Sequence, residues 1–185
     1  DHLLSASQFK TFEACNRKWA FTYIEGLRQP PTASTQLGTE VHECAEEWLR
    51  SGKFPNLDTK SGSIFAPGIE HLPAPSKDLE VESYFEYSGY RGYIDCVDLS
   101  GDVPLVIDHK TTKNPYYALT SDKLRNDVQA IVYAATIFDR VPNASVLLLR
   151  WVYYRTTTPH SFKVEAKVSR SEIDTKFKAI LKRSE

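Results

Sequence analysis

The chain has 185 residues, 41% hydrophobic and 25% charged, a balance that excludes disordered and collagen-like classes and predicts one globular domain, 1–185, with a sizeable core. Its formal net charge of −1 gives no global attraction to a polyanion, so a nucleic-acid partner must be held by a local patch or through bound cations. Three cysteines with no CxxC pair argue against a disulfide framework and a self-contained zinc site, and no apolar run approaches the roughly 18 residues that span a bilayer. A cytoplasmic, reducing setting without membrane contact is expected, and the lack of methionine and the start at Asp1 are expected of a trimmed chain.

Ser5-Ala-Ser7 offers N-caps for a first helix, in which Phe9, Phe12, Asn16, Trp19 and Tyr23 recur at the spacing of one buried face. Arg17, Lys18 and the following Arg28 lie off that stripe, where either solvent or phosphates can meet them; Pro30-Pro31 closes the element. A second helix is predicted over Thr35 to Arg50. Leu37, Val41, Cys44, Ala45, Trp48 and Leu49 form its apolar stripe, with Glu40, Glu43, Glu46 and Glu47 opposite. His42 falls at the border of the stripe, where a packed or capping histidine is commoner than a ligand, and Gly38 one turn earlier permits a close approach. From Ser51 to Lys77 the chain is rich in Pro, Gly, Ser, Asn and Asp without a period, which predicts a long surface loop or insertion over 51–77, as a lid or as a tolerated excursion.

The alternating run Leu79–Tyr87 reads as a strand leading through Gly89 into Tyr90–Asp95 and then, past Ser100-Gly-Asp102, into Val103–Lys113. On simple alternation Glu80, Glu82 and Tyr84 share a face, from which Glu82 can approach Asp95 and Asp108. Alternation also sets Asp108 and Lys110 side by side and turns His109 to the other face. If the two strands pair, Asp95 comes opposite and its carboxylate joins them. Two acids and a lysine make a divalent-metal site, while Asp108 and Lys110 alone make an edge ion pair of little energetic weight; the residues themselves leave both readings open.

After Asn114-Pro-Tyr-Tyr-Ala118, a third helix is predicted from about Ser121 to Asp139, burying Leu124, Val128, Ile131, Val132 and Ala135 and stacking Gln129 on Tyr133. The run Ser145–Arg155 is the most strand-like in the chain; a turn leads to Phe162–Ala166, and Ser169-x-x-Glu172 opens a last helix that buries Ile173, Phe177, Ile180 and Leu181. The expected fold is α/β, a central mixed β-sheet flanked by helices.

Five motifs occur in order: Ser5-x-Ser7 with Cys15-Asn-Arg-Lys-Trp19, Gly38-x-x-x-His42, Gly92-Tyr-Ile-Asp95, Asp108-His-Lys110-Thr-Thr and Gln129-x-x-x-Tyr133. The chain resembles the PD-(D/E)XK nuclease superfamily, in its RecB-like branch of RecB and AddB nuclease domains and CRISPR-associated exonucleases. The resemblance implies a restriction-endonuclease-like core. It also implies a metal-dependent deoxyribonuclease in which His42, Asp95 and Asp108 bind Mg²⁺ or Mn²⁺, one or two ions. Asp95, Asp108 and Lys110 would be catalytic, with Lys110 at the scissile phosphate and attacking water; Gln129 and Tyr133 would position the substrate backbone. With it the ligand reading of His42 overtakes the packing one, and the metal-site reading of Asp108 and Lys110 overtakes the edge pair. Several relatives carry a [4Fe–4S] cluster on one N-terminal and three C-terminal cysteines; here Cys15 stands at the first position but no cysteine follows Cys96, so no iron–sulfur cluster is expected.

The expected substrate is DNA, as single strands or duplex ends, in recombination, repair or replication, with Tyr116 and Tyr117 available to stack on unpaired bases or to pack the loop. A helicase or recombination protein is the expected partner. The rivals are a structure-specific endonuclease on branched or flapped DNA, and a catalytically silent DNA-binding scaffold.

Overall fold

A computed structural model describes residues 3–27 and 30–184. Arg28, one of the basic residues weighed above for phosphate contact, lies outside them. The described chain runs α1 (Ala6–Ala14), α2 (Asn16–Trp19), a π-helical turn (Ala20–Ile24), α3 (Ala33–Ser51), α4 (Lys60–Phe65) and a 3₁₀ helix (Ala66–His71). It continues through β1 (Glu80–Tyr87), β2 (Tyr90–Asp98), β3 (Leu105–Thr112), a 3₁₀ turn (Pro115–Tyr117), α5 (Ser121–Leu124), α6 (Val128–Arg140), β4 (Val146–Arg155), β5 (Ser161–Ser169) and α7 (Arg170–Ser184). The five strands form one mixed sheet in sequential order, antiparallel except where β3 and β4 run parallel across the α6 crossover. The fold is thus α/β, a mixed sheet flanked by helices, as a restriction-endonuclease-like core requires.

Each sheet face closes its own core. Phe9 of α1, the apolar side of α6 and Ile173, Phe177 and Ile180 of α7 pack with Ile94, Val97, Val106 and Trp151. On the other face Val41, Ala45 and Leu49 of α3 and Ile64 and Phe65 of α4 pack with Val81, Cys96, Ile107, Val152 and Tyr154. Adjacent strand residues therefore serve opposite cores, as the pleat dictates. The β1–β2 hairpin turns on Ser88 and Gly89, both at positive φ, whose twist matches that of the flanking strands.

Three expectations are corrected. The first helix is not continuous: Cys15 is extended (φ −167°, ψ 103°), so the period breaks after Ala14, and beyond Phe9 the stripe is not core, with Phe12 and Asn16 exposed and Trp19 and Tyr23 half-buried. The third helix likewise breaks between Leu124 and Val128, because Asp127 in extended conformation accepts from Gln129 N (2.9 Å) and Ala130 N (3.2 Å) and caps a new helix.

The third correction is 51–77, which is no surface loop. Thr59 caps α4, whose Ile64 and Phe65 are buried, and Gly68 of the following 3₁₀ helix lies so near Tyr154 that a Cβ there would stand 2.2 Å from its ring. Arg150 on β4 ties the segment down by donating to the His71 carbonyl (2.9 Å). Polar and small residues hid this in the sequence, because a six-residue helix shows too little period to read. Phe65→Ala is expected to lose about 3–5 kcal/mol in denaturant unfolding, the range for a buried aromatic. A change within about 0.5 kcal/mol, as for a surface substitution, would restore the loop reading.

Candidate active site

The site forms where β2 and β3 part. Their ladder pairs Cys96 with Ile107, Val97 with Val106 and Asp98 with Leu105, then stops. At the next step Asp95 Oδ2 accepts from the His109 backbone N–H (2.7 Å), so a carboxylate takes the place of a backbone partner. The buried amide is satisfied, and the strands splay.

The alternation slips at the same level. Along the hairpin Phe85 and Ile94 face the α6 core, whereas Val81 and Cys96 face the α3 core, an offset that one regular pleat cannot give. The slip is taken up at Glu82, whose φ of +53° is uncommon for any residue but glycine and which, with Asp95, falls in the gap of the ladder between the Val81–Cys96 and Ser83–Ile94 pairs. Glu82 approaches Asp95 through this local turn of the backbone, and the face expected to hold Glu80, Glu82 and Tyr84 together does not hold Glu80. Glu80 instead pairs with Arg140 of α6.

His42 arrives from α3. Gly38 lets that helix press on β3, since a Cβ there would meet Thr111 Oγ1 at 3.3 Å, and one turn on the His42 ring stands edge-on to His109 with centroids 5.6 Å apart. His42 Nδ1 lies 3.5 Å from Asp95 Oδ2. His42, Glu82 and Asp95 each offer one ligand atom, all within 4.8 Å of one another. An open depression beside them is lined by Gly38, Thr39, Glu43 and Glu46.

Electrostatics fit a cation. Burial, and then the neighbouring Asp108, hold the Asp95 carboxyl well above its usual range. Burial and Glu46 push Glu82 up as well, and burial lowers His42, favouring the neutral imidazole that ligates. Two carboxylates whose charge burial opposes, with a neutral imidazole, are a donor set suited to a hard or borderline divalent ion.

Asp108, beside this group, is engaged by Lys110 and Gln129. Its Oδ2 lies 2.5 Å from Lys110 Nζ, and its Oδ1 accepts from Gln129 Nε2 (3.0 Å). Gln129 also accepts from Lys110 Nζ (3.0 Å) and donates to the Tyr133 hydroxyl (2.8 Å), which in turn donates to the Tyr93 carbonyl (2.7 Å). Burial acts to lower the Lys110 ammonium, but the Asp108 carboxylate outweighs it and leaves Lys110 raised, hence charged. Gln129 thus clamps the acid–lysine pair. Tyr133 is buried, so its hydroxyl acts from beneath the site. His109 turns from Asp108 and Lys110 to the α3 side, its Nδ1 2.9 Å from the Tyr154 hydroxyl, and burial depresses its imidazole to about 3, so it stays neutral. Tyr116 and Tyr117, 87% and 79% exposed, stand edge to face just beyond β3.

Two positioning residues escaped the sequence reading. Asp127 fixes the start of α6, and with it Gln129, while Lys10 of α1 anchors Asp127 at 2.6 Å. An Asp just before an apolar helical run is an N-cap signal that could have been read; the partnership with Lys10, 117 residues away, left no local trace. The three thiols are free, Cys15 exposed, Cys44 half-buried and Cys96 buried, and form no metal-holding group among the described residues.

A family model described as the PD-(D/E)XK nuclease superfamily matches residues 3–66, the stretch from α1 to α4 that carries Gly38 and His42; Asp95, Asp108 and Lys110 lie beyond the match. Among solved structures, one described as "Crystal structure of SSO0001" is similar, with 12% identity, 100% of this chain and 78% of that chain covered, and a TM-score of 0.49. No curated protein matches the sequence. No described helix is long and apolar enough to cross a membrane.

A non-glycine residue at positive φ costs roughly 1–2 kcal/mol, so Glu82 is strained where it stands. Glu82→Gly is expected to hold or raise the midpoint of a thermal melt while weakening Mn²⁺ binding measured by calorimetry. A lowered midpoint with unchanged binding would make Glu82 a structural residue only.

Proposed function

We propose that this chain is a divalent-metal-dependent deoxyribonuclease, acting as an exonuclease on single-stranded DNA or duplex ends in recombination, repair or replication. The observation that carries the reading is the meeting, at one strand parting, of a His42–Glu82–Asp95 donor set with the Asp108–Lys110 pair clamped by Gln129. The family match, which includes His42, supports it.

Hydrolysis of a phosphodiester needs an in-line water, a means of making it nucleophilic, and stabilisation of charge on the phosphoryl and leaving oxygens. His42, Asp95 and Asp108, with Glu82 as an added carboxylate, would hold one or two ions, Mg²⁺ by the carboxylates and Mn²⁺ the more favoured by the imidazole. When bound, such an ion supplies Lewis-acid polarisation of the phosphoryl oxygens and neutralises the buried acids. Lys110, held charged by Asp108, orients the attacking water and offsets negative charge on the phosphate. Gln129 and, beneath it, Tyr133 fix Lys110 and Asp108 against the substrate backbone. Tyr116 and Tyr117 present open rings to unpaired bases where the strand leaves the site. The chain carries this out without an iron–sulfur cluster, within a single domain, and serves a helicase or recombination protein as partner.

Lys110→Ala and Asp108→Asn are each expected to lower cleavage of labelled DNA by about 10²–10⁴-fold while leaving the thermal midpoint within a few degrees. EDTA abolishes wild-type cleavage, and Mg²⁺ or Mn²⁺ restores it. Cleavage at the wild-type rate by Lys110→Ala would overturn the catalytic assignment. Wild type that binds DNA but neither binds cations nor cleaves single-stranded, blunt, nicked or flapped DNA would make the chain a silent scaffold.

A further inference from the structure

Two tyrosines that the site has not used stand one step from it along the hairpin. Tyr84 and Tyr93 are paired directly across β1 and β2, two residues from Glu82 and Asp95 respectively, with the Ser83–Ile94 pair between. Phe85 and Ile94 point into the α6 core, so alternation sends Tyr84 and Tyr93 to the opposite face, the one on which α3 brings His42. Strand rise sets residues two apart on a strand about 7 Å from each other, the reach of one unstacked nucleotide.

Neither ring is spent on the fold. Tyr84 is 50% exposed and Tyr93 57%, although each sits in mid-strand with apolar neighbours fully covered. Their centroids are 5.2 Å apart at 55°, an open V that leaves ring faces free instead of a closed stack. The Tyr84 hydroxyl is held by Glu86, which fixes the ring's direction, and Arg91 stands opposite Glu86 at the hairpin end. Glu43 and Glu46 rim the depression on the α3 side. Phosphate charge is met at Lys110 and the metal-ligand group, so what these rings offer is a surface for the uncharged part of a nucleotide. Aromatic rings stack on any base and only when it is unpaired.

We propose that Tyr84 and Tyr93 form a base-stacking platform that receives the unpaired nucleotide next to the bond being cut, and so selects single-stranded or frayed DNA at this site. The proposal rests on the nuclease reading above and names two specificity-determining residues for it. The platform lies on the hairpin side of the metal-ligand group, while Tyr116 and Tyr117 follow β3; the two pairs are carried by different elements.

The test compares wild type, Tyr84→Ala/Tyr93→Ala and Tyr84→Phe/Tyr93→Phe. Each is assayed with Mn²⁺ for cleavage of a labelled oligothymidylate and of the same strand with base-free residues near the cut, and in Ca²⁺ for binding of both by anisotropy. Wild type is expected to bind and cleave the base-containing strand about tenfold better than the base-free one. The alanine pair loses that preference while keeping its residual cleavage and thermal midpoint, and the phenylalanine pair, which keeps the rings, keeps the preference. An alanine pair with the wild-type preference overturns the platform and leaves the nuclease reading standing, as does a phenylalanine pair that behaves like the alanine pair. Wild type that cleaves neither strand in Mg²⁺ or Mn²⁺ overturns the nuclease reading itself.

Discussion

The hydrogen bond from the His109 amide to the Asp95 carboxylate is the constraint on which the site depends. A sheet ladder continued by one more rung would have paired β2 and β3 through the backbone and closed the gap. With a side chain in the acceptor's place, the ladder ends at Cys96 and Ile107, the strands diverge, and the acid is drawn into the opening. That placement is costly to an isolated carboxylate, because burial and the Asp108 charge both disfavour its ionised form. The same cost makes the position receptive to a cation.

Everything around the opening is arranged from elements whose packing is fixed elsewhere. The α3 helix is seated by Val41, Ala45 and Leu49 in one core and brought close by Gly38, and His42 follows from that seating. The α6 helix is seated in the other core, started by Asp127 and closed by Arg170, whose guanidinium donates to carbonyls of Phe138, Val141, Pro142 and Ala144. Gln129, at the second position of α6, then reaches both Asp108 and Lys110. Each core thus delivers one side of the site to the sheet: the imidazole from above, the amide clamp from below. The uncommon backbone at Glu82 is the local strain that brings a third ligand atom within range.

Much of this was legible in the sequence, and the reasons differ by residue. Alternation alone separated Asp108 and Lys110 from His109, since a strand's period of two is exact enough to assign faces over three residues. The helical stripe of α3 and the mixed sheet followed from periods sustained over many residues. What failed was alternation across Glu82, where a positive φ cannot be seen in a glutamate, and continuity through Cys15 and Asp127, where an extended residue broke an unbroken-looking stripe. The segment 51–77 misled because short helices rich in Ser and Gly carry no period, though Ile64 and Phe65 inside it are core. The engagement of Asp108 by Gln129 was equally invisible: the spacing of Gln129 and Tyr133 told that they stack, while their link to β3 depends on tertiary placement.

The parting of β2 and β3 is proposed as a divalent-cation site. Anomalous diffraction from crystals soaked in Mn²⁺ tests it directly. One peak or two are expected within bonding distance of His42, Glu82 and Asp95, with Asp108 alongside. A well-occupied peak elsewhere with none at this opening, or none at all at saturating Mn²⁺, would contradict it.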